Sequence, residues 1–188
     1  MSTIDILVFV ISIIGIFLEM FQKSIFWLTY IVASIFAAYE FNTDHLYGSM
    51  LLQLIYILTS IFGWYKWSIT DKKQQNQVKI CHTTLKQWLI YSLTAVIGSF
   101  IIYFFLKYMG DDSNISDTIL TVMCLIATYM AAFKQIESWF VFVASVLISV
   151  PLYLNHHLYF TALTYLIFGI LDLIGGIKWV YDYKHQAK

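Results

Sequence analysis

Residues 46–67 read LYGSMLLQLIYILTSIFGWYKW, and they decide the fold class. A helix needs about 20 apolar residues to cross a hydrocarbon core about 30 Å thick. This stretch supplies that length and keeps its one charge, Lys66, for the far end. Its polar and aromatic residues are ordered as well as sparse. Gln53, Tyr56, Ser60, Trp64 and Trp67 recur at three- and four-residue steps, which places them on one helical face. Such a stripe belongs against protein or a water-filled cavity, because lipid cannot satisfy it.

Six more apolar runs flank this one, near 4–20, 25–41, 88–108, 117–133, 138–154 and 158–180. The 188-residue chain is 60% hydrophobic, 19% aromatic and 12% charged, with a mean hydropathy of +0.74; a soluble domain carries about 25% charged residues. The expectation is an all-α membrane protein of seven transmembrane helices with no sizeable soluble domain. The run Ile4 to Met20 lacks a basic leader and a small-residue cleavage site, so it reads as a retained helix. Several runs are short for a span, which predicts tilt or local thinning. Pro151, the one proline, falls near the end of the sixth run.

The same composition sets aside other function classes. A formal net charge of zero gives no basic face for nucleic acid. Cys81 and Cys124 form neither a ligand pair nor a disulfide framework. His45, His82, His156, His157 and His185 lie in predicted loops, which leaves no intramembrane pair for haem. With no paired-carboxylate or metal-ligand spacing either, the chain is expected to be no enzyme and to use no cofactor or metal.

Charge gives the spans a direction, because lysines beside spans stay on the cytoplasmic side. Assigning loops alternately puts Lys23, Lys66, Lys72, Lys73, Lys79, Lys86, Lys134, Lys178, Lys184 and Lys188 on one side and Lys107 on the other. Asp5, Glu40, Asp44, Asp111, Asp112 and Asp117 gather with Lys107. The predicted topology is N-terminus outside and C-terminus cytoplasmic. Loop 69–87, with Asp71, Lys72, Lys73 and a Gln/Asn run, is the longest cytoplasmic connection.

Sliding the chain against itself by 112 residues pairs the first three spans with the last three without a gap. Asp5 falls on Asp117, Phe21 on Phe133, Trp27 on Trp139, and His45-Leu46-Tyr47 on His157-Leu158-Tyr159. Gly63, Lys66 and Trp67 fall on Gly175, Lys178 and Trp179. The shift passes four spans, an even number, so the two copies run parallel and span 4 is the linker. The predicted layout is two parallel three-helix bundles plus a linker helix, a 3+1+3 or SWEET-like arrangement with a solute site at midplane between the bundles. It divides the chain into a first repeat (1–68), a cytoplasmic loop (69–87), a linker helix with an outer loop (88–116), a second repeat (117–180) and a tail (181–188).

In span 7, Thr161, Tyr165, Phe168 and Asp172 form a second stripe, with Asp172 equivalent to Ser60 under the repeat. The two stripes are expected to face each other. A carboxylate inside a span costs about 2.5–3.5 kcal/mol on insertion scales. Asp172 therefore reads either as a counter-ion for a cationic substrate or as an acid that snorkels to the interface or bonds a neighbouring hydroxyl. Glu19, four residues before Lys23, and Glu137, three after Lys134, read as local ion pairs. Trp64 and Trp67 are spaced to stack on a planar or cationic ring. An interfacial belt is the competing reading for Trp67, Trp88 and Trp179, and Trp27 and Trp139 fit either. Gly169, Gly175 and Gly176 permit close helix approach.

These residues carry a resemblance to the PnuC-type vitamin transporter family over nearly the whole chain. It is strongest in Leu46-Tyr47 through Gly63-Trp64-Tyr65-Lys66-Trp67, and continues in Lys134-Gln-Ile-Glu137-Ser-Trp139 and Leu158-Tyr159-Phe-Thr161-Ala-Leu-Thr-Tyr165. The family's W-x-x-W substrate motif is similar to Trp64 and Trp67 here. The resemblance implies facilitated uptake of a vitamin precursor, nicotinamide riboside first and thiamine second, in a bacterial inner membrane. It also implies trapping by a cytoplasmic kinase, no ion coupling and a homotrimer. Phe142, Val146 and Ala33 replace a Trp, a polar residue and an Asn usual in similar proteins, and Asp172 adds a charge. The expected substrate-binding set is Trp64, Trp67, Gln53, Tyr56, Ser60, Thr161, Tyr165, Asp172 and Trp139.

Overall fold

The computed structural model describes residues 3–43, 47–72, 78–110, 115–155, 157 and 159–186. Among them are seven α-helices: α1 Thr3–Met20, α2 Phe26–Thr43, α3 Tyr47–Lys72, α4 Leu85–Tyr108, α5 Ile115–Ala132, α6 Glu137–Asn155 and α7 Tyr159–Gln186. Four segments, Tyr47–Ser68, Leu85–Tyr108, Glu137–Asn155 and Tyr159–Gln186, are long and apolar enough to cross a membrane. Ile6–Met20 and Thr118–Ala132 are shorter apolar helices. Asp44, His45, Leu46, Lys73, Asp111, Asp112, His156, Leu158 and Lys188 lie outside the described residues, as do the side chains of Asp5, Glu40, Asp71, Lys72 and Asp117.

The sequence explains where the helices begin and end. Thr84 caps α4 through a capping box: Gln87 N donates to Thr84 Oγ1 at 3.3 Å, and Thr84 N donates to Gln87 Oε1 at 2.8 Å. Pro151 lies inside α6, one turn from its end at Asn155, where it removes one N–H from the ladder. Helices α1 and α5 end alike. Gln22 and Lys134 take left-handed φ values of 56° and 52°. Beside them, Gln22 N donates to Glu19 O (2.8 Å) and Lys23 N to Leu18 O (2.8 Å), while Lys134 N donates to Ala131 O (2.9 Å) and Gln135 N to Met130 O (3.2 Å). Each is a Schellman close built without glycine, and the two are 112 residues apart.

Six helices pack in a closed ring, in the order α1, α2, α3, α5, α6, α7 and back to α1. Helix α4 stands outside the ring, against α5 and α3. Its outer residues are apolar and bare, with Leu89 67% and Ile101 63% exposed. That surface needs lipid or another apolar surface to cover it.

The buried core gathers at the lysine-rich end, around Ile16, Met20, Phe26, Trp27, Trp67, Ile80, Ile136, Trp139 and Trp179. Trp27 lies on Gly63 and Trp139 on Gly175 so closely that a Cβ on either glycine would collide with the indole. Trp67 Nε1 donates to Ala132 O and Trp179 Nε1 to Met20 O, both at 3.3 Å. The Lys66 ammonium stands 4.5 Å from the Phe133 ring centroid and that of Lys178 stands 5.3 Å from that of Phe21. Every one of these contacts has its counterpart 112 residues away. A strap from the α3–α4 connection crosses the α5–α6 corner: Cys81 N donates to Lys134 O (3.1 Å) and Ile136 N to Cys81 O (3.0 Å).

Candidate functional site

In the ring, α3 and α7 occupy opposite places and do not pack on each other; α1 and α5 lie between them on either side. Their indoles meet at one end, with Trp67 and Trp179 centroids 6.2 Å apart. The stripe on α3 turns toward α5, where the Tyr56 hydroxyl donates to Thr121 O at 3.1 Å. Ser60, one turn on, is fully buried, and its Oγ has no hydrogen-bond partner among the described residues. On α7, Tyr165 stacks on Tyr153 of α6 at 5.1 Å, and Phe168 on Phe9 of α1 at 5.9 Å. Asp172, further along, is 7% exposed.

Other helices contribute polar groups to this space. Glu19 of α1 is 2% exposed, with Oε1 unpartnered among the described residues. It is close enough to Asp172 for their charges to interact. Tyr30 of α2 lies within electrostatic reach of Glu19, Asp172, Cys124 and Tyr56. Cys124 of α5 lies within electrostatic reach of the same group, and Ser145 of α6 donates to Phe142 O at 2.7 Å. Glu19, Tyr30, Tyr56, Cys124 and Asp172 thus converge from five helices on one interior region.

The remaining expected residues fall at different depths. Gln53 and Thr161 are half-buried on α3 and α7. Trp67 is buried, its N–H engaged by Ala132 O. Trp139 is fully buried, and its Nε1, like that of its repeat mate Trp27, lacks a partner among the described residues. Trp64 is 41% exposed, at the edge of the stripe, about 60° round the helix from Trp67.

Two sequence expectations change. Glu19 forms no ion pair with Lys23, because the left-handed residue Gln22 ends α1 before the four-residue spacing can close; Lys23 is exposed while Glu19 is buried. Glu137 binds the strap: its Oε1 is 2.7 Å from His82 Nδ1, and its Oε2 accepts from Thr83 N and Oγ1, each at 2.8 Å. Sequence reasoning also passed over Tyr30, Cys124 and Ser145, whose signal was a polar atom inside a span without a stripe around it.

A cleft of about 330 Å³ opens between α4, α5 and α6, lined by Trp88, Tyr91, Met123, Ile126, Phe140 and their neighbours. Its walls are almost wholly apolar, and it holds none of the expected binding residues.

Comparison with known proteins fits this arrangement. A solved structure, the crystal structure of the vitamin B3 transporter PnuC, superposes with a TM-score of 0.73 over 95% of this chain and 80% of that one, at 20% identity. The riboflavin/roseoflavin transporter RibM of Streptomyces davaonensis is 28% identical over 138 residues, 72% of this chain. This chain spans 65% of RibM's length. The nicotinamide riboside transporter PnuC of Escherichia coli is 22% identical over 167 residues, 76% of this chain and 70% of that protein. The pattern of the family described as nicotinamide mononucleotide transporter matches residues 2–181. The chain therefore belongs to that family, the PnuC-type membrane transporters.

Proposed function

We infer that this protein is a facilitator that carries a flat, cationic vitamin precursor into the cell, nicotinamide riboside first and thiamine second. What carries the reading is the polar interior of an otherwise apolar ring. Hydroxyl and carboxyl groups from opposite helices converge where lipid cannot reach, in a chain whose family transports solutes. The ring works as two parallel three-helix bundles, α1–α3 and α5–α7, with α4 as linker. The N-terminus faces outside and the C-terminus the cytoplasm.

In this mechanism the substrate ring enters from outside and stacks on Trp64 and its aromatic neighbours. Gln53, Tyr56, Ser60, Thr161 and Tyr165 bond its polar groups, and Asp172 offsets its charge. Trp67 and Trp139 form the floor. The bundles then rock about the lysine-rich end, breaking the two indole-to-carbonyl bonds to release the solute inward. A cytoplasmic kinase traps it by phosphorylation, so no ion gradient is needed. Homotrimer formation covers part of the bare α4 surface.

RibM's substrate supports one rival, the neutral flavin ring. Proteoliposomes offered labelled nicotinamide riboside, thiamine and riboflavin separate the three. Saturable flux of nicotinamide riboside is expected, and saturable flux of riboflavin alone would overturn the reading.

A further inference from the structure

We propose that Glu19 is the second carboxyl of a two-acid site with Asp172, and that the pair selects a substrate whose planar ring carries a permanent positive charge, such as an N-alkylated pyridinium or thiazolium. The proposal rests on the reading of the ring interior as the solute site.

Burying an ionised carboxylate is costly unless a cation or several donors satisfy it. Glu19 is 2% exposed, and its Oε1 has no donor among the described residues. The ion pairs among the described residues are His82–Glu137 and Lys178–Asp182, and neither Glu19 nor Asp172 takes part. The lysines at this end are turned elsewhere. Lys178 binds Asp182 at 2.7 Å, Lys134 donates to Gln22 Oε1 at 3.2 Å and lies over Trp67, and Lys23 is exposed. The two acids sit on α1 and α7, which pack together. A cation brought by the substrate would satisfy both.

An independent observation marks the same region as built for a ligand. The hydroxyl of Ser60, the repeat counterpart of Asp172, is fully buried and unpartnered among the described residues. Tyr56, one turn away on the same face, shares electrostatic reach with Tyr30, which reaches both acids. A substrate with hydroxyl groups beside its charged ring would engage both kinds of group. The charge is also one-sided. The repeat counterparts of Glu19 and Asp172 are Ala131 and Ser60, so the acids gather at the α1–α7 junction and the α5–α3 junction has neither.

The test uses the purified full chain in detergent, with calorimetric titration of nicotinamide riboside and of its uncharged 1,4-dihydro form, which keeps the shape and loses the charge. E19Q and D172N are each expected to weaken the cation at least about tenfold and to leave the dihydro form unchanged. Retained binding of the neutral form also shows that the variants are folded. Unchanged cation binding in E19Q would mean that Glu19 is a neutral structural acid, and equal loss of both forms would mean a packing role; either result overturns the inference and leaves the transport reading standing. Wild-type binding of riboflavin but of neither nicotinamide riboside nor thiamine overturns both.

Discussion

The two halves of the ring, α1–α3 and α5–α7, agree at one depth and differ at another. At the lysine-rich end five pairs match: Phe21 and Phe133, Trp27 and Trp139, Gly63 and Gly175, Lys66 and Lys178, Trp67 and Trp179 make equivalent contacts. Deeper in, Glu19 stands against Ala131, Tyr30 against Phe142, Ser34 against Val146, Tyr56 against Phe168 and Ser60 against Asp172. Packing that holds two helices together works as well in one half as in the other, so the same residues serve twice. The interior, which we propose takes one asymmetric solute, is where the halves depart.

The comparison can be broken first at its glycines. Gly63→Val and Gly175→Val each drive a side chain into a buried indole, and each is expected to cost about 3 kcal/mol or the fold itself. Thermal unfolding in detergent checks this, and a large loss in one half alone would show that the matched contacts are not equivalent. Next in size is the interior. Asp172→Ser is expected to lower affinity for nicotinamide riboside about tenfold, near 1.4 kcal/mol. Adding Ser60→Asp is expected not to restore it, because α1, which carries Glu19, packs on α7 and not on α3; restoration would make the interior symmetric in function.

Trp67→Phe and Trp179→Phe each remove one indole-to-carbonyl bond, at about 1 kcal/mol. Maleimide labelling of Cys124 in a Cys81→Ser background should quicken equally in both if the two bonds share one gate. The smallest effect lies in the strap. Burial, followed by the nearby Glu137 carboxylate, pushes the Cys81 thiol up. The thiolate is the form that reacts, so Cys81 should alkylate slowly at neutral pH and only catch up with a free thiol as pH rises through the raised value. A rate equal to that of free cysteine at neutral pH would mean that the strap does not hold.

The helices were legible because spans are set by length and hydropathy; outside the ends of α3 and α7, predicted and observed bounds agree within three residues. Both exceptions run on, to Lys72 and Gln186, since hydropathy marks only the part in lipid and a helix needs no apolar side chains to continue into water. Trp, Gly and Lys carry the 112-residue correspondence in the sequence, and their contacts recur at that spacing. Glu19 was misread for a reason that no spacing reveals: a left-handed residue without glycine at Gln22 breaks the register to Lys23. The same device at Lys134 separates it from Glu137, whose partners come from a strap more than fifty residues away in sequence. Trp64 satisfied the three-and-four rule and still stands at the margin of its stripe, because that rule admits a wide arc of the helix.

Lys134 donates to Gln22 across the ring, and these two residues are each other's repeat mates. In a dimer of identical units, a residue that touches its own counterpart lies on the twofold axis and must meet a copy of itself. Two lysines there would repel, and two glutamines would supply no cation for the Trp67 face that Lys134 now covers. Carrying both units on one chain frees the axis from that rule. The lysine-rich end of this protein holds a heterologous pair that no pair of identical half-size proteins could form, so descent from such a dimer would have required the two copies to diverge before this contact could evolve.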